Sequence, residues 1–310
     1  SRIRAYRKLS QELQEDLSKN PHDTIKFQNI FNSTVDKIYE DIMGFEQETM
    51  EQSESSVYKL KKIFEKRYRR YFLFGKYITW CLEKPFGYDG DFKIIDDIYQ
   101  NNPRTSGFDR LWDNWVMQLA VSKSVRERKE DFKRIIYEFV NKNQERKIRI
   151  MSLGCGPARE IKELLESDAK HVLANTIFDC YDFDSRAIKY AKDILTNTST
   201  VNFIRKNAIR LALKKNIKEE ITYNYDLVYS AGLFDYLDER VASRLISNLK
   251  KITNKNGVIL ISNAREKYNN SSAIWMEWVG EWYLIYRTEN DFKKIFIDAN
   301  FKPENIYILV

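Results

Sequence analysis

From Lys147 onward, short apolar runs alternate with amphipathic stretches, and this alternation restricts the fold more than any other feature of the chain. Ile148–Leu153, Thr176–Tyr181, Val201–Ile204, Leu227–Ser230 and Gly257–Ser262 read as strands. Ala158–Leu165, Ala187–Leu195, a short segment near 207–215 and Arg240–Ile252 read as the helices between them. A Trp-rich insert follows, then a helix at Asn290–Ala299 and a last strand at Asn305–Val310. Strands and helices taking turns at this spacing predict an α/β fold with a doubly wound, mostly parallel sheet.

The first 146 residues have a different texture, read as an all-helical N-terminal domain ahead of an α/β domain at 147–310. Ile25, Ile30, Phe31, Val35, Ile38, Tyr39 and Ile42 recur at helical steps, as do Leu60, Ile63, Phe64, Tyr68, Tyr71 and Phe72. Lys84-Pro-Phe-Gly-Tyr-Asp-Gly-Asp91 interrupts the helical run, a helix capped by Asp91 is expected after it, and another spans Asp131–Asn143.

Glycine is scarce, ten in 310 residues, under half the usual share of about 7%. Such a chain keeps glycine where no side chain fits. Four of the ten form two tight pairs, Gly87 with Gly90 and Gly154 with Gly156. The second pair closes the first strand, in Ser152-Leu-Gly-Cys-Gly-Pro-Ala158, where an open α/β sheet binds its ligand. Arg159 stands where a dinucleotide fingerprint has its third small residue, and the Gly-Lys-Ser/Thr ending of a phosphate loop is missing. The loop therefore suits a ligand without a pyrophosphate. The second strand ends in Cys180-Tyr-Asp-Phe-Asp184, at the place where this fold holds a ribose diol. Asp182 is the first choice for that role and Asp184, equally able to cap the next helix, the second.

Leu153-Gly-Cys-Gly-Pro, Asp182 with Asp184-Ser-Arg-Ala, and Tyr225-Asp-Leu-Val-Tyr-Ser-Ala-Gly together resemble class I S-adenosylmethionine-dependent methyltransferases. The resemblance implies a Rossmann-like sheet with S-adenosylmethionine as cofactor. It implies that Gly154, Cys155 and Gly156 pass beneath the methionine part, and that Asp182, with Phe183 and Asp184 beside it, meets the ribose. Asn207 and Ala208, within Arg205-Lys-Asn-Ala208, match the adenine contact, although an acid is commoner at Asn207. Ser230, Ala231 and Gly232 would floor the transferable methyl. A narrower set is Lys84–Asp91, Ser230-Ala-Gly-Leu-Phe-Asp-Tyr236 and the stretch from Trp275-Met-Glu-Trp to Trp282-Tyr-Leu-Ile-Tyr-Arg287. It is similar to a bacterial group that makes the methyl ester of 3-hydroxypalmitic acid, an extracellular factor. The family's sheet carries two strands after its last helix, and this chain has room for one. Together with a start at Ser1, that suggests an abbreviated sheet or a piece of a longer protein.

Methyl transfer from a sulfonium is an in-line displacement that needs alignment and a dry pocket. A carboxylate acceptor is already ionised and needs only orienting donors, for which Arg287, Tyr283, Tyr286 and Tyr236 are candidates. An amine or hydroxyl would need a base, and Asp91, Asp235 and Glu277 are the candidates. Gly87-Tyr-Asp-Gly-Asp91 reads either as a turn with a helix cap or as a lid bringing Tyr88 to the cofactor. Trp275, Trp278 and Trp282 read either as a buried helix face or as the apolar cover of an acceptor pocket. His22, His171 and Cys155 are poor catalysts by position, and Cys81 and Cys180 read as buried fillers.

The expected function is methyl transfer to a small hydrophobic or carboxylate-bearing acceptor, with the helical domain as lid. The alternatives are a methyltransferase of protein or RNA, or a non-catalytic cofactor-binding module. Net charge is +7, split +3 and +4 between the two parts, which does not suggest nucleic acid. The eight basic residues of Lys59–Lys76, opposed only by Glu65, read as a solvated face, with macromolecular docking as the alternative. Where an amide or nucleobase methyltransferase carries Asn/Asp-Pro-Pro-Tyr/Phe, this chain has Ser230-Ala-Gly-Leu-Phe234. No apolar run approaches the roughly 18 residues of a membrane span, and residues 1–20 have no signal-peptide core. Three cysteines without metal spacing suggest neither disulfides nor zinc, so a cytoplasmic setting and no metal are expected. A homodimer through the N-terminal helices is the partner expected besides the acceptor.

Overall fold

The computed structural model describes residues 2–195 and 199–309. The chain divides into two units, one of Ser1–Arg126 with Lys267–Tyr283, the other of Glu127–Glu266 with Leu284–Val310. The division falls inside a helix, ahead of the sequence boundary at 146/147, and assigns the Trp-rich insert to the N-terminal unit.

The first unit contains α1 (Arg2–Lys19), α2 (Thr24–Arg67), α3 (Lys76–Glu83), α4 (Phe92–Gln100), α5 (Gly107–Gln118), the start of α6 (Ala120–Asn141) and, from the insert, α11 (Ser272–Trp278). The two N-terminal segments read from the sequence are largely one helix. α2 runs through both, bent at Ser53, where the backbone leaves helical dihedrals. Its buried stripe is Phe31, Val35, Ile38, Tyr39 and Phe64, while Ile25 is 90% exposed and Ile30 and Ile63 are also exposed. Counting apolar residues located the helix but misplaced part of its inner face.

Aromatic rings fill this unit. Trp112 meets Phe31 edge-on at 5.1 Å and Trp115 at 5.4 Å; Trp115 stacks on Tyr39 and meets Trp275 at 6.0 Å. Trp275 and Trp278 are fully buried, so the insert's tryptophans are core residues of this unit. Beside them lies a buried charge network. Glu277 accepts from Lys61 (2.8 Å) and Lys267 (2.7 Å). Glu46 pairs with Lys267 and accepts from Trp278 Nε1 (2.5 Å). Burial alone would raise the Glu46 carboxyl, but Lys267, Trp278 and Lys61 outweigh it and hold Glu46 below the ordinary carboxylate range. Glu277→Gln should therefore destabilise the protein by about 3–5 kcal/mol in urea unfolding, because it removes the acid paired with buried Lys61 and leaves Lys267 with Glu46 alone. An unaltered unfolding curve would show that the network is not needed.

The second unit is the predicted α/β layer. β1 (Ile148–Leu153), β2 (Thr176–Asp182), β3 (Val201–Arg205), β4 (Tyr225–Ser230) and β5 (Thr253–Ile261) form one parallel sheet in the order β3-β2-β1-β4-β5. α7 (Arg159–Glu166), α8 (Ser185–Ile194), α9 (Ala208–Leu213), α10 (Glu239–Lys251) and α12 (Glu289–Asp298) complete it. Successive side chains of a strand point to opposite faces, so two cores result. Ile148 and Ile150 of β1 pack with Ile136 of α6, Ile161 of α7 and Ala191 of α8. Met151 and Leu153 pack with Leu211 of α9, Leu245 of α10 and Ile295 of α12. This is a Rossmann-like, doubly wound sheet whose order reverses between β1 and β4, the switch point where such folds bind ligands.

The strand expected at Asn305–Val310 is corrected. Val310 lies outside the described residues, and the rest forms a short 3-10 turn at Pro303–Asn305 followed by irregular chain. Tyr307 is 82% exposed and Leu309 69%, so apolar alternation here has no surface to bury against. The described sheet ends at β5. Among the described residues, no helix is long and apolar enough to cross a membrane, and no group of three or more His, Cys, Asp or Glu is placed to hold a metal ion.

Candidate functional site

Four loops leave the carboxyl ends of β1 to β4. The first is the glycine loop. Gly154 and Gly156 adopt φ of +67° and +52°, a region that side-chain-bearing residues avoid. The N–H groups of Gly154 and Cys155 both donate to the Tyr181 carbonyl, at 2.8 and 3.0 Å, which pins the loop to the end of β2. A Cβ on Gly154 would sit 3.4 Å from the Leu233 side chain, so the loop after β4 lies in van der Waals reach of the glycine loop. Ser230 Oγ donates to the Leu153 carbonyl (2.7 Å) and ties β4 to the same place. Cys155 is buried, and the neighbouring Cys180 thiol together with burial raises its own thiol well above the ordinary range. That suits a space-filling thiol, not a nucleophile.

Asp182 ends β2. Its Oδ2 accepts from Gly156 N–H and its Oδ1 from Asp184 N–H, both at 2.9 Å, while its own carbonyl accepts from Lys206 N–H (2.9 Å). Each carboxylate oxygen has a second lone pair, so the side chain that shapes the glycine loop retains capacity to accept from a diol. Burial raises the Asp182 carboxyl above the ordinary range, and the N–H groups of Asp184 and Gly156 pull it back in part. Asp184 has other work. It caps α8 by accepting from Arg186 N–H, and the Arg186 guanidinium grips both its oxygens. Between the two acids Phe183 is half exposed. Asn207 caps α9 by accepting from Arg210 N–H (3.0 Å), and Ala208 opens that helix. The acid usual at Asn207 is thus replaced by another good capping side chain.

β4 ends at Ser230 and is followed by Ala231 and Gly232 (φ +94°), then a 3-10 turn at Leu233–Tyr236. Asp235 is buried. Its Oδ1 accepts from Ala264 N–H (2.5 Å) and its carbonyl from Ile285 N–H (2.7 Å), so it anchors the segments on either side of the insert. Burial raises its carboxyl, against the pull of Arg128, Ala264 N–H and Arg287. Arg287 is 3% exposed and spends its Nη donors inside the protein, on the carbonyls of Phe234 (2.9 Å) and Leu237 (2.5 Å) and on Asn263 Oδ1, while its Nε–H has no acceptor among the described residues. It clamps the turn that carries Asp235 and Tyr236, and Tyr236 is 40% exposed.

Tyr286, partly buried beside Arg287, belongs to this unit as well, and the remaining candidates belong to the other. Asp91 caps α4 by accepting from Lys93 and Ile94 N–H, and also accepts from Trp80 Nε1 (2.7 Å). With Tyr88, Lys84, Asp89, Trp80 and Trp282 it lines a small, half-open cleft with a cavity volume of about 10 Å³. Tyr283 is half exposed, with the Lys61 ammonium over its ring and its hydroxyl 3.4 Å from the Glu277 carbonyl. Glu277 itself is committed to Lys61 and Lys267.

Arg128, in the middle of α6, went unread in the sequence. Its guanidinium lies against Gly232, where an added Cβ would find Nη2 at 3.2 Å, and its Nη1 stands 3.6 Å from Asp235 Oδ2. Helical periodicity sets it in a charged run from Arg126 to Arg134, with no local sign that it faces a loop about a hundred residues further on.

Residues 138–279, less than half of the chain, match the family model described as "Tellurite resistance protein TehB". No curated protein matches the chain. Solved structures similar to it include a Nostoc punctiforme protein assigned to the O-methyltransferases, at 14% identity over 60% of this chain and TM-score 0.43, of whose length this chain covers 54%. They also include the magnesium protoporphyrin IX methyltransferase of Synechocystis. With bound SAH it gives 16% identity over 59% of this chain and 78% of that one, at TM-score 0.44. With bound SAM it gives 18% identity over 68% and 87%, at TM-score 0.41.

Proposed function

We propose that the second unit binds S-adenosylmethionine and transfers its methyl group to a small acceptor. The observation that carries this reading is the pairing of Asp182 with the positive-φ glycine loop. A buried carboxylate at the tip of β2 holds the Gly156 N–H of a loop that has no provision for a pyrophosphate. The residues fit the group. Gly154 and Gly156 leave backbone bare for the amino-acid and sulfonium part, and Asp182 keeps lone pairs for the ribose hydroxyls. Asn207 and Ala208 stand beside it at the end of β3, through Lys206, for the base. When bound, the cofactor would supply an electrophilic methyl group, taken by the acceptor in line with the C–S bond that breaks, S-adenosylhomocysteine being the leaving group.

This chain's own contribution is alignment. Ser230 and Gly232 form the floor, Asp235 and Arg287 fix the turn above it, and half-exposed Tyr236 is presented on that turn. The narrower likeness of Lys84–Asp91, Ser230–Tyr236 and Trp275–Arg287 favours an oxygen acceptor, the carboxyl of a hydroxy fatty acid, giving a methyl ester. Docking of a macromolecule on Lys59–Lys76 has less support, because Lys61, Arg69 and Lys76 are already paired with acids of their own unit.

Incubation with tritiated S-adenosylmethionine and panels of fatty acids, small amines and cell-extract fractions tests the reading. Label in a product cleaved by mild base is the expected result. Label only in base-stable products would move the acceptor to nitrogen, carbon or hydroxyl, and no incorporation from any panel would remove the activity.

A further inference from the structure

We propose that Arg128 and Asp235 together receive the α-amino-acid end of the nucleoside, the guanidinium taking its carboxylate and the Asp235 carboxylate its ammonium. The inference rests on the methyltransferase reading and adds to it the residues that recognise the cofactor's zwitterionic end.

The pair has the features of an unfinished contact. Arg128 Nη1 and Asp235 Oδ2 are 3.6 Å apart, an attraction of opposite charges but longer than a hydrogen bond. Arg128 Nε–H is shut off from solvent and has no acceptor among the described residues, which is uncommon for a buried donor. On the other side, Asp235 Oδ1 is taken by Ala264 N–H, while among the described residues Oδ2 has the loose pair with Arg128. A cation with an unspent donor thus faces an anion with an unspent oxygen.

Their location gives the contact a purpose. The guanidinium lies directly on Gly232, with Nη2 and Nη1 3.2 and 3.4 Å from the point a Cβ would occupy. Gly232 is followed by Leu233, whose side chain reaches Gly154. The charged pair therefore stands at the switch point, on the β4 side of the glycine loop.

The match of charges decides which ligand fits. A lone carboxylate would satisfy Arg128 but be repelled by Asp235. A lone amine would suit Asp235 and be repelled by Arg128. An α-amino acid carries both poles on one carbon, so a single group satisfies both residues through charge-assisted hydrogen bonds. S-adenosylmethionine and its product S-adenosylhomocysteine end in this group, and 5′-methylthioadenosine, otherwise alike, lacks it.

Calorimetric titration with S-adenosylhomocysteine and with methylthioadenosine tests the proposal without turnover. Arg128→Met should weaken the first by about 10- to 100-fold, the loss of hydrogen bonds to a charged group, and leave the second unchanged. Arg128→Lys keeps the charge without the planar fork and should show a smaller loss of the same selectivity. Asp235→Asn should also discriminate between the two ligands, and thermal unfolding of each variant establishes that it is folded. Full affinity of folded Arg128→Met for S-adenosylhomocysteine overturns the proposal, as does an equal loss for both ligands. Failure of the unaltered protein to bind either ligand would instead defeat the methyltransferase reading itself.

Discussion

Asp182→Ala should weaken binding of S-adenosylhomocysteine by about 1–3 kcal/mol, the loss of hydrogen bonds to an ionised acceptor. The side chain acts twice in the structure. It offers lone pairs toward the site, and it holds Gly156 N–H and Asp184 N–H at 2.9 Å, keeping the glycine loop in its positive-φ form. Asp182→Asn separates the two roles, since it retains one acceptor for the loop but loses the charge. A calorimetric affinity unchanged in both variants would take Asp182 out of the site.

The pH dependence follows from the same environment. Burial raises the Asp182 carboxyl, so it takes up a proton above the pH of about 4 at which a free aspartate does. Protonation turns one acceptor oxygen into a donor, so nucleoside affinity should fall as pH falls, starting above the ordinary carboxylate range. Stability runs the other way. Because the folded-state pKa is above the unfolded one, the contribution of Asp182 to stability is full below the unfolded pKa and is lost as pH rises through the folded one. A group that costs stability near neutrality while binding requires its charge is what a ligand-binding carboxylate should be.

Arg287→Met should be the more damaging change to the protein itself. It removes the donors to two backbone carbonyls and to Asn263 in a place that is 3% exposed, leaving the Phe234 carbonyl only the Leu237 N–H at 3.4 Å. We expect a loss of about 3–5 kcal/mol of unfolding free energy. Turnover should drop sharply, because the turn that carries Asp235 and Tyr236 loses its clamp. Affinity for methylthioadenosine should be nearly unchanged under folding conditions, since neither the glycine loop nor Asp182 touches the guanidinium, whereas S-adenosylhomocysteine should bind more weakly as Asp235 shifts with the unclamped turn. A variant as stable and as active as the parent would mean that the turn holds itself.

Local signals were enough for much of the second unit. Ser152–Ala158 declared both a strand end and a helix start, and alternating runs located five strands within a few residues. The choice between Asp182 and Asp184 was open in the sequence because a carboxylate before a helix serves either purpose. The structure separates them by hydrogen bonds, with Asp184 on Arg186 and Asp182 on the glycine loop. Distant partners left no local trace. Arg128 looks like any cation on an amphipathic helix, and Trp275 and Trp278 look alike whether they cover a ligand or fill the core of the other unit. Asn305–Val310 shows the converse failure, since apolar alternation describes a strand only where something covers its face.

All of these expectations converge on one seat for the nucleoside. Crystals soaked with S-adenosylhomocysteine should show it at the ends of β1 and β2, with both ribose hydroxyls on the Asp182 carboxylate and the adenine beside Asn207 and Ala208. Density for the nucleoside anywhere else in the molecule, or none at a concentration well above its calorimetric dissociation constant, would contradict the proposed site.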